Sequence, residues 1–521
     1  MTALNIAFVH PDLGIGGAER LVVDAAIGLQ SRGHKIAFYT SHHDIDHCFD
    51  ETRDGTLKVA VFGDFLPRSI LKRGHVVFAM IRSLYLAMIM VLLQPRYDVI
   101  FVDQVSASIP ILRLTGSKIL FYCHFPDKLL STRESLVKRI YRAPVDYAEE
   151  LTTKMSDEIL VNSAFTASVF KTSFPRIRKS PRVLHPGLQV NAYRQEIDLD
   201  DVSVKPIISD KITFLSINRF ERKKNLALAI QAFAEVCKLF EKGKMRLLMA
   251  GGYDPRVTEN VEYMAELEAL ARQLSLTTHT LTSPNLKAIP AKDTNILFLP
   301  SFTHAQRTYL LNTSTCLLYT PQNEHFGIVP LEAMISSLIV IASNTGGPKE
   351  SVVDNVTGYL VDDTISGFAD AMGTVLGKSV DERREMGRMG RERVEELFSL
   401  RRFTDMLEGV LRDVCDGRCG DEAIPLVTQW LPSDSQPSRL FRSIVDDVTG
   451  YLVDTISGFD AMGTVLGKSV DERRVGFRVT VTVIICTARD FSLLSVLNVT
   501  FEENSLEKKA KKDTICRYRS M

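Results

Sequence analysis

Two glutamates eight residues apart, Glu324 and Glu332, lie in the stretch NEHFGIVPLEAM at 323–334. They follow the apolar run TCLLYTP, and a glycine, Gly327, separates them. Pro330 suits the first position of a helix, which would put Glu332 in the first turn, where the helix dipole favours a carboxylate. Backbone N–H groups around Phe326 and Gly327 would then face phosphate or sugar oxygens. The two carboxylates would accept hydrogen bonds from sugar hydroxyls. Two surface glutamates on a capped helix would give the same spacing.

A cationic pair complements them. Arg219 and Lys224, in RFERKKN, stand five apart, one at a strand end and one at a helix start. Both would converge on a diphosphate, the guanidinium as a fork and the ammonium as a point charge. A solvated basic turn is the equal alternative. In GIGGAER at 14–20, Gly16 and Gly17 would let backbone N–H groups approach an anion at a helix N-terminus. This is not the dinucleotide fingerprint. Glu19 stands where the last glycine of G-x-G-x-x-G belongs, and the next strand ends in Thr40 and Ser41 rather than a ribose-binding acid. A dehydrogenase or epimerase is thereby disfavoured. His124, in YCHFPD, sits just past a strand end, and TGGPKE at 345–350 adds a second glycine-rich turn. The D-x-D triplets at 44–46 and 198–200 read as loop and linker acids, so no metal site is expected.

These residues need a frame of strands and helices. NIAFVH, KIAFYTS, YDVIFVD, KILFYCHFP and EILVNS are short apolar runs separated by segments of helical spacing. The pattern restarts at KITFLSINR, with MRLLMAGG, NILFLP, TCLLYTP, IVIAS and GYLVD after it. Two doubly wound α/β domains in series are expected, over 1–190 and 205–415, the last helix able to cross back to the first. Ligands of such sheets bind at the carboxyl ends of the strands, so the cleft between the domains is the expected site.

The segment 76–93, VVFAMIRSLYLAMIMVLL, is apolar except for Arg82, Ser83 and Tyr85. It is either a mostly buried helix against a sheet or a helix lying in a membrane interface. Arg82 near its middle disfavours a full span.

Lysine plus arginine balances aspartate plus glutamate, 63 of each, which removes the basic footprint of a nucleic-acid binder. The eight cysteines are scattered without a CxxC pair and read as free thiols of a reducing compartment. The N-terminal stretch lacks the basic and long apolar regions of a signal peptide, so the catalytic part is expected in the cytosol.

Taken together and in this order, GGAE, R-x4-K and E-x7-E with FGIVPLE resemble the retaining nucleotide-sugar glycosyltransferases of the GT-B fold, over roughly residues 4–415. The opening FVHPDLGIGGAERLVVDAA, with FYCHFPD and NEHFGIVPLEAM, is similar to the dolichol-pathway α-1,3/1,6-mannosyltransferase family. The resemblance implies GDP-mannose as donor, a lipid-linked oligosaccharide as acceptor and the cytoplasmic face of the endoplasmic reticulum membrane as location. It also implies a possible complex with other early-pathway glycosyltransferases and no cofactor. Gly16 and Gly17 would bind the donor diphosphate, with Arg219 and Lys224 neutralising it. Glu332 would hold the ribose, Glu324 the transferred sugar beside Phe326 and Gly327, and His124 the sugar near the reacting carbon.

One feature lies outside this frame. Residues 443–474 repeat 351–384 with two substitutions, but lack one aspartate of 362–363 and Ala369. Structural repeats diverge while keeping their spacing, whereas this copy keeps its residues and breaks its spacing. The copy also lacks the glutamate pair and the cations, so it is not a second active site. The extension 416–521 is expected to be poorly ordered, and FRVTVTVIIC within it an aggregation hazard or membrane-prone.

Overall fold

The computed structural model describes residues 2–68, 75–130, 136–282, 290–418, 478–485 and 495–502. The second copy of the repeat, and the expectation attached to it, fall outside the described residues. The chain divides into two compact units, Met1–Ser433 and Asp434–Met521.

The first unit holds two seven-stranded sheets. The first comprises β1 (Asn5–His10), β2 (Lys35–Thr40), β3 (Val59–Val61), β4 (Val99–Asp103), β5 (Lys118–Cys123), β6 (Glu158–Val161) and β7 (Arg182–Val183). The second comprises β8 (Ile212–Ile217), β9 (Met245–Gly251), β10 (Thr278–Thr280), β11 (Ile296–Pro300), β12 (Cys316–Tyr319), β13 (Ile339–Ser343) and β14 (Gly358–Val361). Their orders are β3-β2-β1-β4-β5-β6-β7 and β10-β11-β9-β8-β12-β13-β14, with parallel pairing throughout. Each order reverses direction beside its first strand, β1 or β8, which opens a crevice at the strand ends there.

The continuous apolar runs follow from burial on both faces. In β1, Ile6 and Phe8 enter one core cluster while Ala7 and Val9 enter the other. Phe8 stacks on Phe38 and Phe101 at 5.0 and 4.9 Å, tying three adjacent strands together. The second sheet divides likewise, with Leu247 and Met249 on one side and Leu248 and Ala250 on the other.

The first copy of the repeat supplies the last strand of the second sheet, β14, and the helix Ile365–Gly377, but that helix is not the last. Val380–Leu397 and Leu400–Cys415 follow it. The latter packs into the first sheet's core, placing Phe403, Leu407, Val410, Leu411 and Val414 beside Ile6 and Phe8. It crosses the helix Gly17–Ser31 so closely that a Cβ at Gly28 would stand 2.2 Å from Thr404 Oγ1.

The apolar segment forms the helix His75–Leu93, and it is not mostly buried. Its buried residues are Arg82, Ser83, Leu86, Ala87 and Met90, whereas Ile81, Met88, Leu92 and Leu93 are exposed. Arg82 turns inward because it finds partners there: it donates to the Ser41 carbonyl at 2.6 Å and lies 3.8 Å from Asp64.

In the second unit, Arg478–Ile485 pairs antiparallel with Ser495–Glu502. This is the stretch read as an aggregation hazard.

Candidate active site

The residues expected to bind the donor cluster where β8 and β12 end. Lys224 closes a short 3-10 turn, Arg222–Lys224, and Asn225 follows in a left-handed conformation, φ 50°. The Thr320 hydroxyl, just past β12, donates to the Lys224 carbonyl at 2.8 Å and fixes this turn. Lys224 Nζ thereby meets Glu324 Oε2 at 2.5 Å. Burial would raise the Glu324 pKa, but the Lys224 charge and hydrogen bond outweigh it and hold the carboxyl below its usual range. Arg219 stays largely exposed, paired with Glu221 at 3.1 Å.

The helix after Glu324 begins at Ile328, not at Pro330. Gly327, at φ 85°, makes the turn into it, so the helix starts earlier than the proline suggests. Pro330 is then the third helical residue, where its missing N–H costs nothing because first-turn donors have no helical partner. Glu332 consequently lies in the second turn. Its carboxylate accepts from Tyr193 Oη at 3.0 Å and pairs with Arg307. The buried hydroxyl of Tyr319 bonds Glu324 and also senses Glu332, which with burial raises its pKa.

The turn 345–350 supports this loop from behind. Gly347 N donates to the Glu324 carbonyl at 2.8 Å. Gly346 has φ 64°, and a Cβ there would stand 2.4 Å from the same oxygen. Its Glu350 reaches the first domain. It accepts from Ala164 N and Phe165 N at 2.8 and 3.0 Å and lies 2.9 Å from His185 Nε2.

From the first domain, Gly16 caps the helix Gly17–Ser31 in an extended conformation, so the Gly17 N–H begins the first turn. His124 follows β5 with its Nε2 2.9 Å from Asp103 Oδ1. The next residue, Phe125, stacks on His325 at 3.7 Å between ring centroids. His124 and Glu324 immediately precede the two stacked residues, and both act on the charge of His325. Burial drives the His325 pKa down to about 4. A cavity of about 540 Å³ opens here, lined by His124, Phe125 and His325 and by Val76, Ala79 and Met80 of the apolar helix. Glu149 also lines it; burial lifts its pKa to about 7, although it accepts from Asp127 N and Lys128 N.

The sequence reading missed Asp103, His325, Glu350 and Arg307. For His325 a signal existed, since it directly follows Glu324. The other three are brought in by tertiary topology.

His10 implies a pH dependence. Burial would lower its pKa, but Asp103 and Glu19 outweigh that and raise it from 6.5 to about 9. The folded state therefore holds a proton that the unfolded chain releases, and this stabilisation is complete below about pH 6.5 and lost as pH rises through 9. Glu149, also raised, acts in the same direction up to about pH 7. The melting temperature is expected to fall between pH 7 and 9, by less in His10→Gln; a flat profile in thermal melts would contradict this.

Residues 15–191 match the family model Glycosyltransferase Family 4, and residues 200–393 match Glycosyl transferases group 1. The alpha-1,3/1,6-mannosyltransferase ALG2 of Rhizomucor pusillus is 51% identical over 417 residues, covering 78% of this chain and 91% of that protein. The Homo sapiens ALG2 is 45% identical, covering 77% and 94%. In fold, the chain is similar to sucrose-phosphate synthase from Thermosynechococcus elongatus, with TM-score 0.62 and 18% identity over 80% of this chain and all of that one. Anabaena HepE in complex with UDP and glucose gives TM-score 0.56 at 16% identity, covering 78% and 99%. The two facing parallel sheets are thus a GT-B fold, and the chain is a hexosyltransferase that belongs to the alpha-1,3/1,6-mannosyltransferase family.

Proposed function

We infer that the enzyme moves mannose from GDP-mannose to a dolichol-pyrophosphate-linked oligosaccharide. It makes an α-1,3 and then an α-1,6 linkage, with retention, in early N-glycan precursor assembly. The observation that supports this reading is the Phe125–His325 stack, whose two residues directly follow His124 and Glu324, the latter paired with Lys224. In this reading a sugar diphosphate lies between them. Breaking its C1–O bond builds negative charge on the diphosphate and positive charge on the sugar ring. Lys224, Arg219 and the first-turn N–H groups of the helices starting at Gly17 and Ile328 stabilise the leaving group, with no metal needed. Glu324 accepts sugar hydroxyl hydrogens, and Glu332 exchanges Tyr193 for the ribose. The acceptor oxygen bonds C1, and its proton leaves with the diphosphate.

The outward apolar face of His75–Leu93, with Arg82 turned inward, suits a helix lying in a membrane interface. The cavity runs from that helix to His124, a path fitted to an acceptor carried on a lipid. Location at the cytoplasmic face of the endoplasmic reticulum membrane follows from this reading.

The test is transfer from radiolabelled GDP-mannose to a lipid-linked chitobiose–mannose acceptor by the full chain. Two mannoses added in sequence are expected. No transfer, together with thermal stabilisation by NAD and none by GDP-mannose, would overturn the assignment.

A further inference from the structure

Three chemically active side chains meet at the ends of three adjacent strands. His10 is the last residue of β1, Asp103 the last of β4, and His124 the first after β5. The Asp103 side chain is fully buried, and its oxygens are divided between two imidazoles. Oδ2 is hydrogen-bonded to His10 Nδ1 at 2.9 Å, whereas Oδ1 lies 2.9 Å from His124 Nε2 as a charge contact out of hydrogen-bond alignment. His10 Nε2 continues to Glu19 Oε1 at 3.6 Å, in the first turn of Gly17–Ser31.

This arrangement has a definite proton logic. A carboxylate has no proton to give and repels a lone pair at this distance, so it favours the His124 tautomer with the proton on Nε2 and the lone pair on Nδ1. An isolated buried carboxylate would be costly and would tend to take up a proton itself. His10 removes that cost, because Asp103 and Glu19 keep it cationic at neutral pH despite its burial. Burial would raise the Asp103 pKa too, but the two histidines outweigh it and hold the carboxyl below its usual range. The carboxylate therefore stays ionised with its charge balanced on the side away from the cleft. His124 alone of the three reaches the cavity, with about a fifth of its side chain exposed, whereas His10 and Asp103 are sealed beneath it.

We propose that Asp103 is a positioning residue for mannosyl transfer: it fixes the orientation and tautomer of His124 so that Nδ1 accepts a hydroxyl hydrogen of the donor sugar. The proposal rests on the reading that His124 contacts that sugar. Asp103 touches no substrate and acts only through the imidazole. A purely structural role, tying three strand ends together, would show itself in stability and not in turnover.

The decisive variant is Asp103→Asn in the full chain. It is the same size, but its amide donates to Nε2, moves the His124 proton to Nδ1 and abolishes the acceptor. With GDP-mannose and the lipid-linked acceptor, kcat should fall about 100-fold, the upper range for loss of a partner that orients a functional side chain. KM for GDP-mannose should change less than about threefold, since diphosphate binding at Lys224 is left intact. Thermal stabilisation by GDP, equal in both proteins, shows that the variant is folded. Asp103→Asn added to His124→Ala should cost nothing further, because the residue it acts through is gone.

A variant with native kcat overturns the proposal, as does a double variant that loses the full 100-fold again. His124→Ala at native rate would instead sink the reading of His124, and the positioning role with it. His124→Ala defective with Asp103→Asn active sinks the positioning role alone. If Asp103→Asn does not fold, 15N-histidine spectra of the native enzyme decide, the His124 signal being identified by its loss in His124→Ala. A proton on Nε2 upholds the proposal, and a proton on Nδ1 overturns it.

Discussion

Lys224→Ala is expected to lower kcat/KM for mannosyl transfer by about 1,000-fold, the scale of losing one preorganised charge at a developing anion. Two effects add. The diphosphate loses the cation best placed for it, since Lys224 is held by Thr320 and needs no rearrangement. Glu324, only about a fifth exposed, also loses the partner that keeps it ionised, and its pKa climbs back toward protonation. Lys224→Arg should recover part of the loss. The charge returns, but a planar fork replaces a point charge and no longer fits the 2.5 Å contact with Glu324. Transfer of radiolabelled mannose under single-turnover conditions measures this. Unchanged transfer by Lys224→Ala would show that the site lies elsewhere.

Glu350→Ala is expected to destabilise the first unit by about 1–3 kcal/mol, the range for leaving hydrogen-bonding groups without their partner. Glu350 belongs to the second sheet's side, yet it caps the first turn of the helix Ala164–Ser173 and meets His185. Alanine leaves two backbone donors and an imidazole without that partner at the seam between the domains. The Ser163 hydroxyl, bonded to the His325 carbonyl at 2.5 Å, remains as the neighbouring tie. Glu350→Gln keeps the shape and one acceptor, so its loss should be intermediate. The midpoint of urea unfolding measures the effect. A change below about 0.5 kcal/mol would mean that the seam does not depend on this residue.

The strands and the donor-side cluster were legible in the sequence for a physical reason. Parallel strands buried on both faces appear as unbroken apolar runs, and ligand-binding residues fall just past their ends. Lys224, Glu324 and His124 could be placed that way because each follows a recognisable run. Asp103 also ends such a run, YDVIFVD, but its meaning depends on β4 lying between β1 and β5. No local spacing encodes that order. The helix start was misplaced by two residues because Pro330 is tolerated throughout the first turn, and the positive φ of Gly327 decided the boundary. TGGPKE was read for its glycines, whereas its glutamate clasps the opposite domain. The apolar helix was legible only as two alternatives. Composition gives its hydrophobicity but not its rotation, and only the inward pull of Ser41 and Asp64 on Arg82 sets which face is covered.

The return of Leu400–Cys415 to the first sheet has a consequence for biosynthesis. The last strand of that sheet leaves the ribosome at Val183, but its core lacks Phe403, Leu407 and Val414 until roughly 220 residues later. At 5–20 residues per second this delay lasts roughly 10–45 s. Throughout that interval the surface around Val22, Ala25 and Leu29 lies uncovered on the nascent chain. A chaperone that binds short apolar helices has its longest opportunity there, and truncation before residue 400 leaves that surface uncovered permanently.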